Sequence, residues 1–229
     1  GLWIDYNHMT NIPGLFAAGE CDYQYHGANR LGANSLLSSI FGGMVAGPKA
    51  IEYMKGLKKS AEDLSSTLYD QARKREDEKF EQILKMDGDE NAYRLHRELG
   101  QWMTDNVTVV RYNDRLKKTD EKIQELMERY KRINVNDTSR YNNQSASFVR
   151  QLWNMLQLAR VITLGALNRN ESRGAHYKPE FPERNDEEWL KTTKAKFTPD
   201  GPVFEYEDVD VSLIKPRPRR YDVKKEEVK

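Results

Sequence analysis

The stretch that most constrains this chain is residues 15–37, LFAAGECDYQYHGANRLGANSLL. Leu15, Phe16, Ala17 and Ala18 form a continuous apolar run stopped by Gly19, the pattern of a short buried strand. Gly27 and Gly32, with the small residues Ala28 and Ala33, keep the following loop thin, so its backbone can come close to another surface. Asn34 and Ser35 are helix-capping types, and Leu36, Leu37, Ile40 and Phe41 follow them. This predicts a helix beginning near Ser35. Its backbone N–H groups and positive dipole end would face the loop, an arrangement suited to an anionic or electron-rich ligand. The acid Glu20 and two potential cations, His26 and Arg30, lie between strand and helix.

Composition narrows the function classes. Charged residues make up 32% of the 229 and hydrophobic residues 38%, which fits long helices with wet faces better than one compact core. A net charge of +1 gives no global drive toward nucleic acid or acidic membranes, and no nucleic-acid role is expected. No apolar run approaches the length that spans a bilayer. The single cysteine, Cys21, permits no intramolecular disulfide and predicts a reducing compartment. His96 and His176 show no metal-ligand spacing with Cys21 or with each other, so no metal site is expected.

The GEC triplet and the HGANRLGANSLL run closely resemble the flavoprotein subunits of succinate dehydrogenase and fumarate reductase, and most of all the Bacillus-type succinate:quinone enzymes. The resemblance extends upstream through TNIPGLFAAG (10–19) and resumes at NESRGAHYKPEFPERND (170–186). A run this long is far more specific than a lone glycine motif. The resemblance implies FAD as cofactor, with Glu20 at its ribose region and Ser35 and Leu36 at the pyrimidine edge of the flavin. It implies that Arg30 binds a carboxylate of the dicarboxylate substrate. The residue types suit these roles: a carboxylate accepts hydrogen bonds from ribose hydroxyls, and a guanidinium fork pairs bidentately with a carboxylate. Taken without the motif, Glu20 is a solvated loop acid, Arg30 a loop-to-carbonyl tie and Ser35 an ordinary helix cap.

Three parts are expected: residues 1–56 as the end of an FAD-binding domain, 57–169 as a helical bundle, and 170–229 as an extended segment with a basic tail. The fold class is α+β, with the last strands and a helix of a Rossmann-like domain leading into antiparallel helices and a small extended C-terminal piece. The first helix spans 35–54, with a kink near Gly47 from Pro48 and a thin side at Gly42, Gly43, Ala46 and Gly47. Ser60 and Asp63 make a capping box for a helix over 61–86, broken at Asp87-Gly88-Asp89. Further helices cover roughly 90–103, 114–133 and 145–168, the last with Phe148, Leu152, Met155, Leu156, Ala159 and Ile162 on its inner side. Arg173 and His176 belong to a structural ion-pair network or lie near the flavin or a partner. Residues 189–197 and 203–211 are expected to be extended, joined by a Pro199-Asp200-Gly201 turn, and 216–220 begin a flexible basic tail.

The resemblance implies succinate oxidation to fumarate, with electrons passing through an iron–sulfur subunit to quinone. It implies a membrane-anchor subunit and a peripheral place on the cytoplasmic side of the membrane. L-Aspartate oxidase or a soluble fumarate reductase is the alternative enzyme, and an inactive fragment or helical interaction module the alternative of another class. The sequence opens inside an apolar segment at Gly1-Leu2-Trp3, and the resemblance implies a G-x-G-x-x-G phosphate loop, a flavin-bearing histidine and a proton-transfer arginine upstream.

Overall fold

The computed structural model describes residues 1–23 and 26–217, and these divide into two compact units, Gly1–Arg184 and a second that begins at Asn185. In the first, a largely non-regular segment leads into α1 (Asn34–Lys55) and then into α2 (Ser66–Leu84), α3 (Ala92–Asn106), α4 (Asn113–Tyr130) and α5 (Gln144–Asn168). The second holds a helical turn, α6 (Asp186–Trp189), and an antiparallel hairpin of β1 (Lys191–Lys196) and β2 (Val203–Asp208). The α+β class therefore holds.

The bundle forms because α3 to α5 carry apolar side chains at helical spacing. Leu95 and Leu99 of α3, Ile123 and Leu126 of α4, and Val149, Leu152 and Leu156 of α5 share one buried core with Ile133 and Val135. α4 packs against both α3 and α5, and α2 lies on α5. Asn143 caps α5, its side-chain oxygen accepting from the Ala146 N–H at 2.8 Å while its amide donates to the carbonyls of Asp137 and Ser139.

The two inter-helix connections are stitched backbone to backbone. The Val135 N–H donates to the Met86 carbonyl at 2.8 Å, and the Asn134 and Glu90 backbones pair in the same ladder. Gly88 is required here, since a Cβ would lie 2.0 Å from the Arg132 carbonyl oxygen. Arg129 of α4 ties the stitch down through Glu90 at 2.7 Å and Glu98 at 2.9 Å.

Several local expectations change. Residues 15–18 form no multi-residue strand: the segment has only the isolated bridges Met9↔Phe16 and Leu2↔Asp22, and Leu15 is exposed. A strand needs a ladder along its length, and among the described residues this segment has none. The Ser60–Asp63 capping box is present but closes a single 3-10 turn, Ala61–Asp63, and Ser65 then caps α2 separately. On α1 only part of the expected thin side is packed: Gly42 is buried, yet a Cβ at Gly43 or Gly47 would meet nothing within 4 Å. On α5, Ile162 points outward, and Thr163 and Ala166 fill the inner stripe. Trp189 ends α6 and does not open a strand. The basic tail from Pro218 onward lies outside the described residues, as do Gln24 and Tyr25.

Candidate functional site

The segment before α1 is held by short hydrogen bonds. The Leu2 N–H donates to the Cys21 carbonyl at 2.7 Å, and the Thr10 N–H to the Leu15 carbonyl at 2.8 Å. His8 is buried and has φ +65. Its carbonyl accepts from the Ala17 N–H, and its Nδ1 lies 3.0 Å from the Ala17 carbonyl oxygen, which makes Nδ1 the protonated nitrogen. These ties set the Gly19–Cys21 3-10 turn. Gly19 sits at φ +82, where a Cβ would lie 3.0 Å from Ser39 Oγ, so the turn rests closely on α1.

Glu20 lies on that turn with its side chain exposed. Arg30 is exposed in the loop that leads to α1. Ser35 is half-buried in the first turn of α1, and Leu36 beside it is 75% exposed. Leu31, Leu37, Ile40 and Phe41 are exposed as well, an apolar face beside the helix start that suits a flat aromatic ligand. The N-cap of α1 is Ala33, in a left-handed conformation at φ +66, with no side-chain cap. Asn34 and Ser35 thus do not cap the helix as the sequence suggested. The Ser35 carbonyl instead accepts from the hydroxyls of Ser38 and Ser39, both at 2.9 Å. An uncapped helix start presents its N–H groups outward, where negative charge is favoured.

The loop carrying Arg30 is fastened on two sides. His26 Nε2 lies 3.2 Å from Ser38 Oγ, and since that hydroxyl already donates to Ser35, the histidine donates. On the other side the Ala28 carbonyl accepts from the Ala175 N–H at 3.1 Å. The sequence had singled out His26 and the ESRGAH segment, but nothing in it revealed Ser38, His8 or the Ala28–Ala175 contact as parts of one assembly.

Behind Ala175 is a buried cluster of charged groups. Fully buried Glu171 accepts from Arg169 Nη1 at 2.5 Å and from Arg173 Nε and Nη2 at 2.9 and 3.0 Å. This is the structural ion-pair network that the sequence offered as one reading of Arg173. His176 lies between Arg111 Nη1, 2.6 Å from its Nδ1, and the Arg169 carbonyl, 2.9 Å from its Nε2. It is therefore the neutral tautomer with hydrogen on Nε2. Burial pushes its pKa down from 6.5 to about 4, and the nearby cations Arg111, Lys178 and Arg169 push the same way. Lys178 is fully buried, its Nζ donating to the Leu167 carbonyl at 2.9 Å and to Asn170 Oδ1 at 3.1 Å. Burial lowers its pKa to about 8.

The His176 shift has a consequence for stability. An unfolded histidine takes up a proton near pH 6.5, whereas the folded one resists until about pH 4. Stability is therefore unaffected by this group above pH 6.5, falls as pH drops through the interval, and reaches its full loss below about pH 4. Thermal melts between pH 4 and 7 should show this slope, and His176→Gln should flatten it. An identical slope in both proteins would contradict a buried neutral His176.

Residues 96–221, more than half of the chain, match the family described as Fumarate reductase flavoprotein C-term. The chain belongs to this flavoprotein family. Residues 1–36 of the flavoprotein match the family described as FAD binding domain, and the cofactor indicated is FAD. It is 70% identical over 98% of its length to the succinate dehydrogenase flavoprotein subunit of Bacillus subtilis (strain 168), covering 39% of that protein. It is 36% identical over 99% of its length to the fumarate reductase flavoprotein subunit of Haemophilus influenzae, covering 37% of it. Among solved structures, a quinol fumarate reductase chain from E. coli superposes with a TM-score of 0.86 at 34% identity, over 94% of this flavoprotein and 37% of that chain. The flavoprotein thus spans about two fifths of the length of these relatives. The residues present fit FAD: an uncapped helix start, an exposed apolar face beside it and an exposed carboxylate on a glycine turn packed against the same helix. Among the described residues no helix is long and apolar enough to cross a membrane.

Proposed function

We propose that this chain forms the C-terminal part of an FAD-dependent succinate dehydrogenase flavoprotein, which oxidises succinate to fumarate and passes electrons through an iron–sulfur subunit to quinone. The observation that carries this reading is the uncapped N-terminus of α1, directly after the Arg30 loop and inside the stretch that matches an FAD-binding family. Residues 1–56 belong to the FAD-binding domain, 57–169 to the supporting bundle, and 170–229 to the terminal segment.

Each side chain has a defined task. Glu20 accepts hydrogen bonds from the ribose hydroxyls. Arg30 holds one substrate carboxylate in its planar fork and stays charged across the working pH range. Ser35 and the first N–H groups of α1 would hold the flavin at its pyrimidine edge and favour negative charge there. Leu36, beside Ser35 at the same edge, would make apolar contact with the flavin and keep water away. FAD, when bound, supplies the two-electron acceptor. The iron–sulfur and membrane-anchor subunits hold the flavoprotein as a peripheral component on the cytoplasmic side of the membrane; the fold similarity to a quinol fumarate reductase chain supports this assembly.

Purification of the native protein tests the reading. Iron–sulfur and anchor subunits should copurify, and succinate should reduce a quinone analogue. An active soluble flavoprotein that uses oxygen and has no such partners would overturn it in favour of an L-aspartate oxidase or soluble fumarate reductase.

A further inference from the structure

The turn Arg173–His176 meets the Arg30 loop at one point. The Ala175 N–H donates to the Ala28 carbonyl, two residues before Arg30, at 3.1 Å. Gly174, at φ +58, lies so close that a Cβ on it would be 2.7 Å from both the Cβ and the carbonyl oxygen of Ala28. The turn itself is stiff. Arg173 and His176 exchange backbone hydrogen bonds of 2.7 and 3.0 Å, and their side chains are fixed by Glu171, Arg111 and the Arg169 carbonyl. The loop is more exposed: residues 27–33 all lie at the surface, Ala33 holds a left-handed conformation, and the tie on its other side is His26 against Ser38 Oγ.

We propose that the Arg173–His176 turn is a clasp that positions the Arg30 loop, so that the C-terminal segment sets the dicarboxylate affinity of the site. This rests on the reading of Arg30 as the carboxylate-binding residue. Gly174 and Ala175 are positioning residues and touch no substrate. A loop without the clasp samples many arrangements and holds the guanidinium in place only part of the time. The apparent dissociation constant then rises by the inverse of that fraction, while a complex once formed still turns over. The signature is a raised KM with kcat nearly intact.

The test uses the intact flavoprotein with FAD and its partners. Malonate, a dicarboxylate that cannot be dehydrogenated across its single methylene, serves as the probe through its perturbation of the flavin spectrum. In Gly174→Ala, amide hydrogen exchange in residues 26–33 should quicken, malonate should bind about tenfold to a hundredfold more weakly, and kcat should stay within about twofold. Should Gly174→Ala not fold, Ala28→Gly removes the facing Cβ from the loop side, and both exchange and malonate affinity should shift several-fold. Unchanged exchange in residues 26–33 of the folded variant refutes the clasp. Unchanged malonate affinity in Arg30→Gln refutes the underlying reading of Arg30 and with it the effect on affinity, and the exchange data separate the two failures.

Discussion

Arg30→Lys in the intact flavoprotein is expected to retain FAD yet lose kcat/KM for succinate by several orders of magnitude. Lysine keeps the charge but replaces a planar five-donor fork with a compact ammonium that cannot grip both oxygens of a carboxylate at a fixed angle. Orientation is what the reaction demands, since small misplacements of a bound substrate cost large factors in rate. FAD should stay because the proposed flavin contacts, Glu20, Ser35 and Leu36, are on the Gly19–Cys21 turn and on α1, outside the loop that carries Arg30. Flavin absorbance after desalting and steady-state succinate oxidation are the two measurements. A near-normal kcat/KM would remove Arg30 from the substrate site.

Glu171→Ala should be the most damaging single change to the fold among the charged residues. Its carboxylate is fully buried and takes three hydrogen bonds from Arg169 and Arg173. Truncation leaves both guanidinium groups without that counter-charge, next to an already cationic neighbourhood of Arg111 and Lys178. Breaking a buried pair from one side typically costs about 3–5 kcal/mol. For a chain of this size that lowers the melting temperature by on the order of 10 °C. Glu171→Gln keeps the shape and two acceptor lone pairs, so it should lose less. A melting temperature within a degree or so of the parent for Glu171→Ala would show that the network carries no stability.

The helices were legible in the sequence because burial imposes a period. Leu95 and Leu99, Ile123 and Leu126, and Leu152 and Leu156 recur at three- or four-residue spacing, and all of them are buried. Ile162 misled because the inner stripe of α5 continues through Ala159, Thr163 and Ala166, a drift that hydrophobicity alone does not reveal when the buried residue is a threonine. Local signals at element ends were right about chemistry and less so about extent. The Ser60–Asp63 box formed as expected but closed one turn, because Leu64 is extended and Ser65 begins a new cap. At α1, the cap signal of Asn34 and Ser35 failed because Ala33 takes the left-handed position that precedes the helix.

The candidate site was legible where the motif is contiguous and opaque where it is assembled over distance. Glu20, Arg30, Ser35 and Leu36 all lie within one short stretch, and the resemblance assigned them together. The buried His8 that braces the Gly19 turn, and Ala175 against Ala28, depend on backbone contacts between segments. Neither leaves a periodicity or a residue type that would announce it.

The meeting of Ala28 with Ala175 also sets an order of events. Most of the chain, including α1 to α5, lies between these two residues. A contact of such high sequence separation forms late, after local helices and their packing have offset the entropy of closing so long a loop. During synthesis the arginine loop leaves the ribosome before residues 173–176, and the contact between them waits until those residues have followed. A nascent chain halted anywhere within α5 would therefore carry the whole HGANRLG sequence without the Ala28–Ala175 contact.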